Sequence, residues 1–273
     1  MRTEKAIKNI FFSITVRTLV VLLTFIITPY VLKGLGKDLY GLNSLMLQTV
    51  GYLGLAELGL GKAINVAYYK VLAQKDKYNI NIVYTSANKI YLFISILIFL
   101  IGIISSFFLE YFFNINPELV NLARYVFIIY AIKSSVSYFF ATYKSLILSD
   151  QKQYKFGYIN LIFRPLYVIS NGLVIFFNGS LLEISLFALL ISIVFELSKY
   201  IIVKKHYPYL EKTKKTEYKS LLNTSIYVFI NKILNLSYKR LDYILIGVFL
   251  SLSDLASFSI YMTFSIILIR FFT

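Results

Sequence analysis

Four basic residues lie several positions inside long apolar stretches of this sequence, and none has an acidic residue three or four positions away. They are Arg17, Lys133, Arg164 and Lys232. A charged side chain at the centre of a membrane helix costs at least about 2.5–3.5 kcal/mol, so such residues generally face a polar cavity or a partner of opposite charge. The guanidinium group presents a planar fork of donors that matches the oxygens of phosphate. We therefore expect these four cations to line a cavity that binds a phosphate-bearing anion.

The other ionisable residues of the apolar stretches leave this excess of positive charge in place. The basic members are Arg17, Arg124, Lys133, Arg164, Lys232, Lys239, Arg240 and Arg270, against Glu57, Glu196 and Asp242. Residues three or four apart on a helix are neighbours, so the spacing predicts an ion pair between Glu196 and Lys199. Arg124 lies near the end of its stretch, where a long side chain can reach the membrane surface. Glu57 and Asp242 are the candidate carriers of a coupling proton or cation.

The composition excludes a soluble or a disordered protein. Of 273 residues, 58% are hydrophobic, 18% are aromatic and only 15% are charged, whereas soluble domains are about 45–50% apolar and about 25% charged. Disordered chains are poor in hydrophobic and aromatic residues. The sequence has no cysteine, and His206 is its single histidine, so disulfides, thiol chemistry and a histidine–cysteine metal site are excluded. We expect a membrane protein that holds no metal and no cofactor.

Eight stretches are long and apolar enough to cross a membrane, which takes about 20 residues per helix. They lie near 10–32, 39–60, 90–110, 120–143, 156–177, 181–203, 221–249 and 255–273. A chain with several such spans must form either helices or a closed barrel, and stretches of this length indicate helices. The predicted fold class is an all-α polytopic membrane helix bundle with about eight transmembrane helices.

Basic residues are distributed very unevenly between alternate loops. If the N-terminus is cytoplasmic, the inside segments carry eighteen Lys and Arg residues, and the outside loops carry only Lys33 and Lys37. Cytoplasmic loops are the ones enriched in basic residues, so we expect a multi-pass protein of the cell (inner) membrane with a cytoplasmic N-terminus. The net charge of +15 then lines the cytoplasmic face, where it attracts anionic phospholipids. We expect no nucleic-acid partner.

The chain also contains a weak internal repeat. An offset of 216 residues lays the last two stretches over the first two and places Asp38-Leu39 on Asp254-Leu255. Many transporters consist of repeated bundles with the binding site at their interface. We therefore predict a first six-helix bundle over 1–203, a basic cytoplasmic linker over 204–219, and the first two helices of a second bundle over 220–273. A complete second bundle would need about four more helices, or about 100 residues, so we expect an N-terminal fragment.

Two segments resemble the polysaccharide flippases, which belong to a superfamily with the multidrug exporters and the lipid II flippase. Residues 27–64 are similar to the first-to-second-helix signature of that family, an LG-x-x-x-YG-L element followed by a glycine-rich helix that ends in LGLG. Residues 241–247 are similar to its LD-x-x-x-IG element. One departure is Ala256-Ser257, because family members often carry Tyr and Gly after the corresponding turn.

The resemblance implies a function and a set of partners. It implies a protein with two helix bundles that moves a polyprenyl-pyrophosphate-linked oligosaccharide from the cytoplasmic to the outer leaflet by alternating access, for the synthesis of O-antigen or capsule. The pyrophosphate would be the anion bound by Arg17, Lys133, Arg164 and Lys232. No covalent chemistry is implied, so we expect no enzyme and no catalytic residue. A polysaccharide polymerase or glycosyltransferases are the expected protein partners.

Two other functions remain open from the sequence. A multidrug-type cation antiporter on the same scaffold would need carboxylates in the membrane, and here the cations outnumber them. A membrane-embedded glycan polymerase or glycosyltransferase would need a sizeable acidic or metal-binding loop outside the membrane, and the outside loops in this sequence are short. Both stay open as alternatives, but these two features of the sequence favour a flippase over them.

Overall fold

The computed structural model describes residues 2–57, 59–216 and 240–272, and in these ranges every regular element is a helix. The helices are α1 (Arg2–Leu35), α2 (Lys37–Leu53), α3 (Leu60–Ala73), α4 (Lys77–Ser106), α5 (Leu109–Phe112), α6 (Val120–Phe139), α7 (Ala141–Ser149), α8 (Gly157–Phe176), α9 (Leu181–His206), α10 (240–249) and α11 (Leu252–Phe272). The predicted all-α bundle is therefore confirmed.

Several of these helices can cross a membrane. Within the described ranges, the helical stretches with sufficient length and apolar character are Ile7–Leu35, Lys77–Ser106, Pro117–Phe139, Gln153–Phe176 and Leu181–His206. Their surfaces are apolar as well, since Ile26, Phe93 and Phe176 are each exposed over about two thirds of their area. Such large exposed apolar surfaces are typical of a contact with lipid. The protein is thus a multi-pass membrane protein.

The second predicted span, 39–60, is not one continuous helix. Helix α2 ends at Leu53, a 3₁₀ turn follows over Gly54–Glu57, and Gly59 adopts a left-handed conformation with φ of 75° before α3 begins. Glycine tolerates this conformation because it has no β-carbon. The third predicted span, near 90–110, belongs to α4, which begins earlier, at Lys77. The carboxylate of Asp76 caps this helix, because it accepts a hydrogen bond from the backbone N–H of Asn79. That cap satisfies a helix donor that would otherwise lack a partner.

Helix α2 lies at the centre of the described bundle. Leu42, Leu45 and Met46 are completely buried and belong to one cluster with Phe127 of α6 and Leu255 of α11. Other extensive contacts join α4 to α6 and α1 to α8. Because both α6 and α11 pack against α2, this helix joins the first part of the chain to the part that follows residue 239.

The contact between α2 and α11 is a close crossing of two backbones. A β-carbon at Gly41 would overlap the carbonyl group of Leu252 and would lie 3.3 Å from the backbone nitrogen of Ala256. Ala256 is itself completely buried. Small residues at such a position allow two membrane helices to approach closely. The departure from the family pattern at Ala256 therefore places a small side chain where this crossing requires one.

Substitution of Gly41 by alanine is expected to destabilise the protein by about 1–3 kcal/mol, because the added methyl group can be accommodated only if two helix backbones move apart. Thermal unfolding of the detergent-purified protein measures this effect. Gly172→Ala is the matched control, since its nearest neighbour would be a side-chain methyl group of Ile27 at 3.2 Å. Equal unfolding temperatures for the two variants would contradict the close crossing.

The end of α9 is tied to the end of α7 by a small polar cluster. The hydroxyl group of Tyr207 donates a hydrogen bond to Asp150, and the same carboxylate lies 2.5 Å from Nζ of Lys152. Burial and the hydrogen bond to Asp150 raise the pKa of Tyr207, so its hydroxyl group remains a donor at neutral pH. This cluster fixes α7 and α9, both of which contribute to the site described next.

Candidate anion-binding cavity

A cavity of about 660 Å³ lies between α1, α2, α6, α8 and α9. Pockets for small molecules and cofactors usually have volumes of about 300–1,000 Å³. Most of the lining is apolar, and its charged members are Lys133 of α6, Arg164 of α8 and Glu196 of α9. We call this space the main cavity.

Two smaller cavities adjoin the main cavity and share residues with it. One, of about 290 Å³, shares Arg164 and Glu196 and adds Lys144 of α7 and Lys199 of α9. The other, of about 140 Å³ between α1 and α8, shares Arg164 and is lined by amide and hydroxyl side chains such as Asn9. Arg164 is therefore a lining residue of all three cavities, and it stands where they meet.

Two tyrosines hold the ammonium group of Lys133. Its Nζ lies 4.4 Å from the ring centre of Tyr167 and 5.6 Å from that of Tyr130. A cation over an aromatic ring is stabilised by about 0.5–2 kcal/mol, more when water is excluded. The hydroxyl group of Tyr130 in turn donates a 2.6 Å hydrogen bond to Asn43 of α2. These aromatic contacts orient Lys133 toward the main cavity, and within the described residues no ion pair with a carboxylate is formed by it.

Glu196 and Lys199 form a buried ion pair on one turn of α9. Oε1 of Glu196 is 2.5 Å from Nζ of Lys199, and only 4% and 7% of the two residues are exposed. The predicted pairing is confirmed. Lys144 and Arg164 interact electrostatically with this pair, the first with both residues and the second with Lys199. Among the residues that the structure describes, the lining of the three cavities thus combines four cations with one carboxylate.

The structure brings together two of the four cations predicted to form an anion site. Lys133 and Arg164 both line the main cavity. Arg17 lies on an exposed part of α1 and is not a lining residue of these cavities. It is three residues from Val20, which does line the main cavity, and residues three apart share a helix face. Lys232 lies outside the described residues.

The two candidate coupling residues occupy other places. Glu57 lies in the 3₁₀ turn after α2, where it accepts a 3.3 Å hydrogen bond from the hydroxyl group of Tyr138. Asp242 is exposed on α10. Neither residue is among those that line the three cavities. Their part in ion coupling therefore stays a prediction.

Three further charged residues have roles that the sequence did not indicate. Lys144 and Lys199 extend the cationic lining, whereas the sequence indicated only the pairing of Lys199 with Glu196 and no place for Lys144 in a cavity. Nη1 of Arg240 donates to the side-chain oxygen of Gln48 at 2.9 Å and to nearby backbone carbonyls of α2. The absence of a side chain at Gly51 provides the space for this guanidinium group. Spacing along one helix cannot reveal such contacts between helices.

These observations define the class: a multi-pass membrane protein whose helices line a cavity in which the described charged residues are mostly cations. Residues 6–273 match the family described as "Polysaccharide biosynthesis protein", and the chain belongs to that family. The resemblance seen in the sequence is confirmed. The family includes flippases of O-antigen and other lipid-linked oligosaccharides, and it fits a role in surface polysaccharide synthesis.

Comparison with solved structures supports the fold. A solved structure named "protein A" is similar to this chain with a TM-score of 0.67 at 17% sequence identity. The similarity covers 94% of this chain and 60% of that one, so this chain spans less than two thirds of the length of that protein. No curated protein matches the sequence.

Proposed function

We propose that this protein moves a polyprenyl-pyrophosphate-linked oligosaccharide from the cytoplasmic to the outer leaflet of the cell membrane during surface polysaccharide synthesis. The observation that carries the proposal is the composition of the cavity lining, in which the described charged residues are Lys133, Lys144, Arg164 and Lys199 on one side and Glu196 on the other. A surplus of cations in a membrane interior needs an anionic partner. A pyrophosphate group, which carries several negative charges and many acceptor oxygens, suits this lining.

The placement of the cations suggests an order of contacts for the lipid headgroup. Lys144 and Lys199 lie in the smaller cavity, Arg164 lies at the junction, and Lys133 lies in the main cavity. A pyrophosphate that moved from the first pair to Lys133 would remain near at least one cation throughout. Aromatic rings in the main cavity, such as those of Phe163 and Tyr167, offer apolar faces against which sugars can stack.

The proposed process breaks and forms no covalent bond, so we assign no catalytic residue. The helices would alternate between openings to the two leaflets, with the cytoplasmic N-terminus and the basic segment after α9 held near anionic phospholipids. Glycosyltransferases that build the lipid-linked oligosaccharide and a polymerase that extends it are the protein partners that this route requires.

A flipping assay in proteoliposomes tests the proposal. With the chain present, a fluorescent lipid-linked oligosaccharide placed in one leaflet should become accessible to a membrane-impermeant quencher on the other side. Lys133→Met should slow this exposure, whereas Lys133→Arg, which keeps the charge, should retain most of it. Unchanged exposure relative to empty liposomes would refute a flippase. Export of a cationic drug would favour an antiporter, and new glycosidic bonds would favour a polymerase.

A further inference from the structure

We propose that Glu196 takes up a proton when a phosphate group binds in the cavity, and that the phosphate replaces its carboxylate as the partner of Lys199. The inference rests on the proposed function, because it requires an anionic ligand at this site. It gives Glu196 a specific role in ligand binding, distinct from the roles predicted for Glu57 and Asp242.

The position of Glu196 carries the argument. It is the one carboxylate among the described residues that line the three cavities, and it belongs to the lining of both the main cavity and the adjoining one. Its bond to Lys199 is short, at 2.5 Å, and 4% of Glu196 is exposed. A ligand that reaches Lys199 must therefore approach this carboxylate closely.

The charged residues that surround Glu196 in the described part of the chain are all basic. The helices packed around the site contribute the charged or titratable residues Tyr130, Lys133, Lys144, Arg164, Tyr167 and Lys199. The lining residues from α1 and α2, which include Thr24 and Leu47, carry no charge. Without a ligand, Lys199 and the neighbouring cations favour the carboxylate form of Glu196, whereas its burial favours the protonated form.

A bound phosphate reverses this balance. A like charge within about 4–6 Å disfavours the ionised form of a carboxyl group. The phosphate would bring such a charge to the cations that now compensate Glu196. Glu196 then accepts a proton from the solvent at a carboxylate oxygen, its ion pair with Lys199 breaks, and the ammonium group donates to a phosphate oxygen.

Proton binding and anion binding are therefore linked. If the anion raises the affinity of Glu196 for a proton, the proton must raise the affinity of the cavity for the anion by the same factor. Anion binding should accordingly strengthen as the pH falls through the neutral range. A lipid-linked pyrophosphate that crossed the membrane in this way would carry a proton with it.

Calorimetric titration with inorganic pyrophosphate tests the inference on the purified protein. Measurements near neutral pH in buffers with different ionisation enthalpies give the number of protons exchanged. Pyrophosphate exchanges protons of its own on binding, and this contribution is common to both proteins. We therefore expect the unmodified protein to take up as much as about one proton more per pyrophosphate than Glu196→Gln does. Glu183→Gln, at the exposed start of the same helix, is the matched control and should behave like the unmodified protein.

The remaining outcomes are also decisive. Equal proton uptake by Glu196→Gln and the unmodified protein would overturn the inference and leave the proposed function intact. No binding of pyrophosphate to the unmodified protein would refute both. Infrared difference spectra of the unmodified protein give an independent check that needs no variant. A protonated carboxyl band should appear when pyrophosphate is added, and its absence would overturn the inference.

Discussion

Replacement of Arg164 by alanine should weaken pyrophosphate binding by about 10- to 100-fold, which corresponds to the loss of a hydrogen bond to a charged group. The expected effect is large because Arg164 lines all three cavities and stands where they meet. Within the described part of the chain, no carboxylate lies within ion-pair distance of its guanidinium group. Its charge-assisted hydrogen bonds are therefore available to a ligand. Calorimetric titration measures the affinity, and the flipping assay should show a parallel loss of rate.

Two variants make this prediction specific. Arg164→Lys keeps the charge but removes the planar donor fork, so its affinity should fall between those of alanine and arginine. Arg124→Ala removes a guanidinium group that already pairs with Glu110 at 2.6 Å, and it should leave pyrophosphate binding unchanged. If Arg164→Ala and Arg124→Ala had the same affinity, the junction of the cavities would not be the anion site.

Replacement of Lys199 by methionine should lower the free energy of unfolding by about 3 kcal/mol, because it leaves the buried carboxylate of Glu196 without its partner. This is near the lower end of the usual cost, since Lys144 still compensates part of the charge. The destabilisation should shrink as the pH falls, because protonation of Glu196 removes the uncompensated charge. Denaturation of the detergent-purified protein at several pH values measures the effect.

The double variant provides the control for this prediction. Glu196→Gln combined with Lys199→Met removes both charges, so it should recover most of the lost stability. The same double variant should still bind pyrophosphate weakly, since one of the four cations is missing. If the single and double variants were equally unstable, Lys199 would stabilise the protein through packing and not through its charge.

The sequence predicted which apolar stretches hold the charged residues better than the direction in which their side chains point. Lys133 and Arg164 reach the same cavity as expected, whereas Arg17 lies on an exposed part of α1. The position of a residue along a membrane helix follows from the apolar stretch that contains it. The direction in which its side chain points depends on which helices pack around it. The Glu196–Lys199 pair was predictable because both partners lie on one helix turn.

The break in the second span shows a related limit. Glycines at 54 and 59 were visible in the sequence, but glycine serves both close helix contacts and left-handed turns. The structure uses Gly41 for the first purpose and Gly59 for the second. Only the tertiary contacts of each residue distinguish these uses. Arg240 is a similar case, because its acceptors lie on α2, far from it in the chain.

The close crossing at Gly41 also determines how the two parts of the chain can tilt. Two helices whose backbones touch at one point can rotate about that point more easily than they can slide. A tilt of α2 relative to α11 would therefore be a rotation about Gly41. With a rise of about 1.5 Å per residue, a tilt of about 10° would shift the far end of α2 by about 3 Å and Gln48 by about 2 Å. That shift exceeds what the 2.9 Å bond from Arg240 to Gln48 tolerates. The hydrogen bond from Arg240 to Gln48 would therefore have to break during such a tilt.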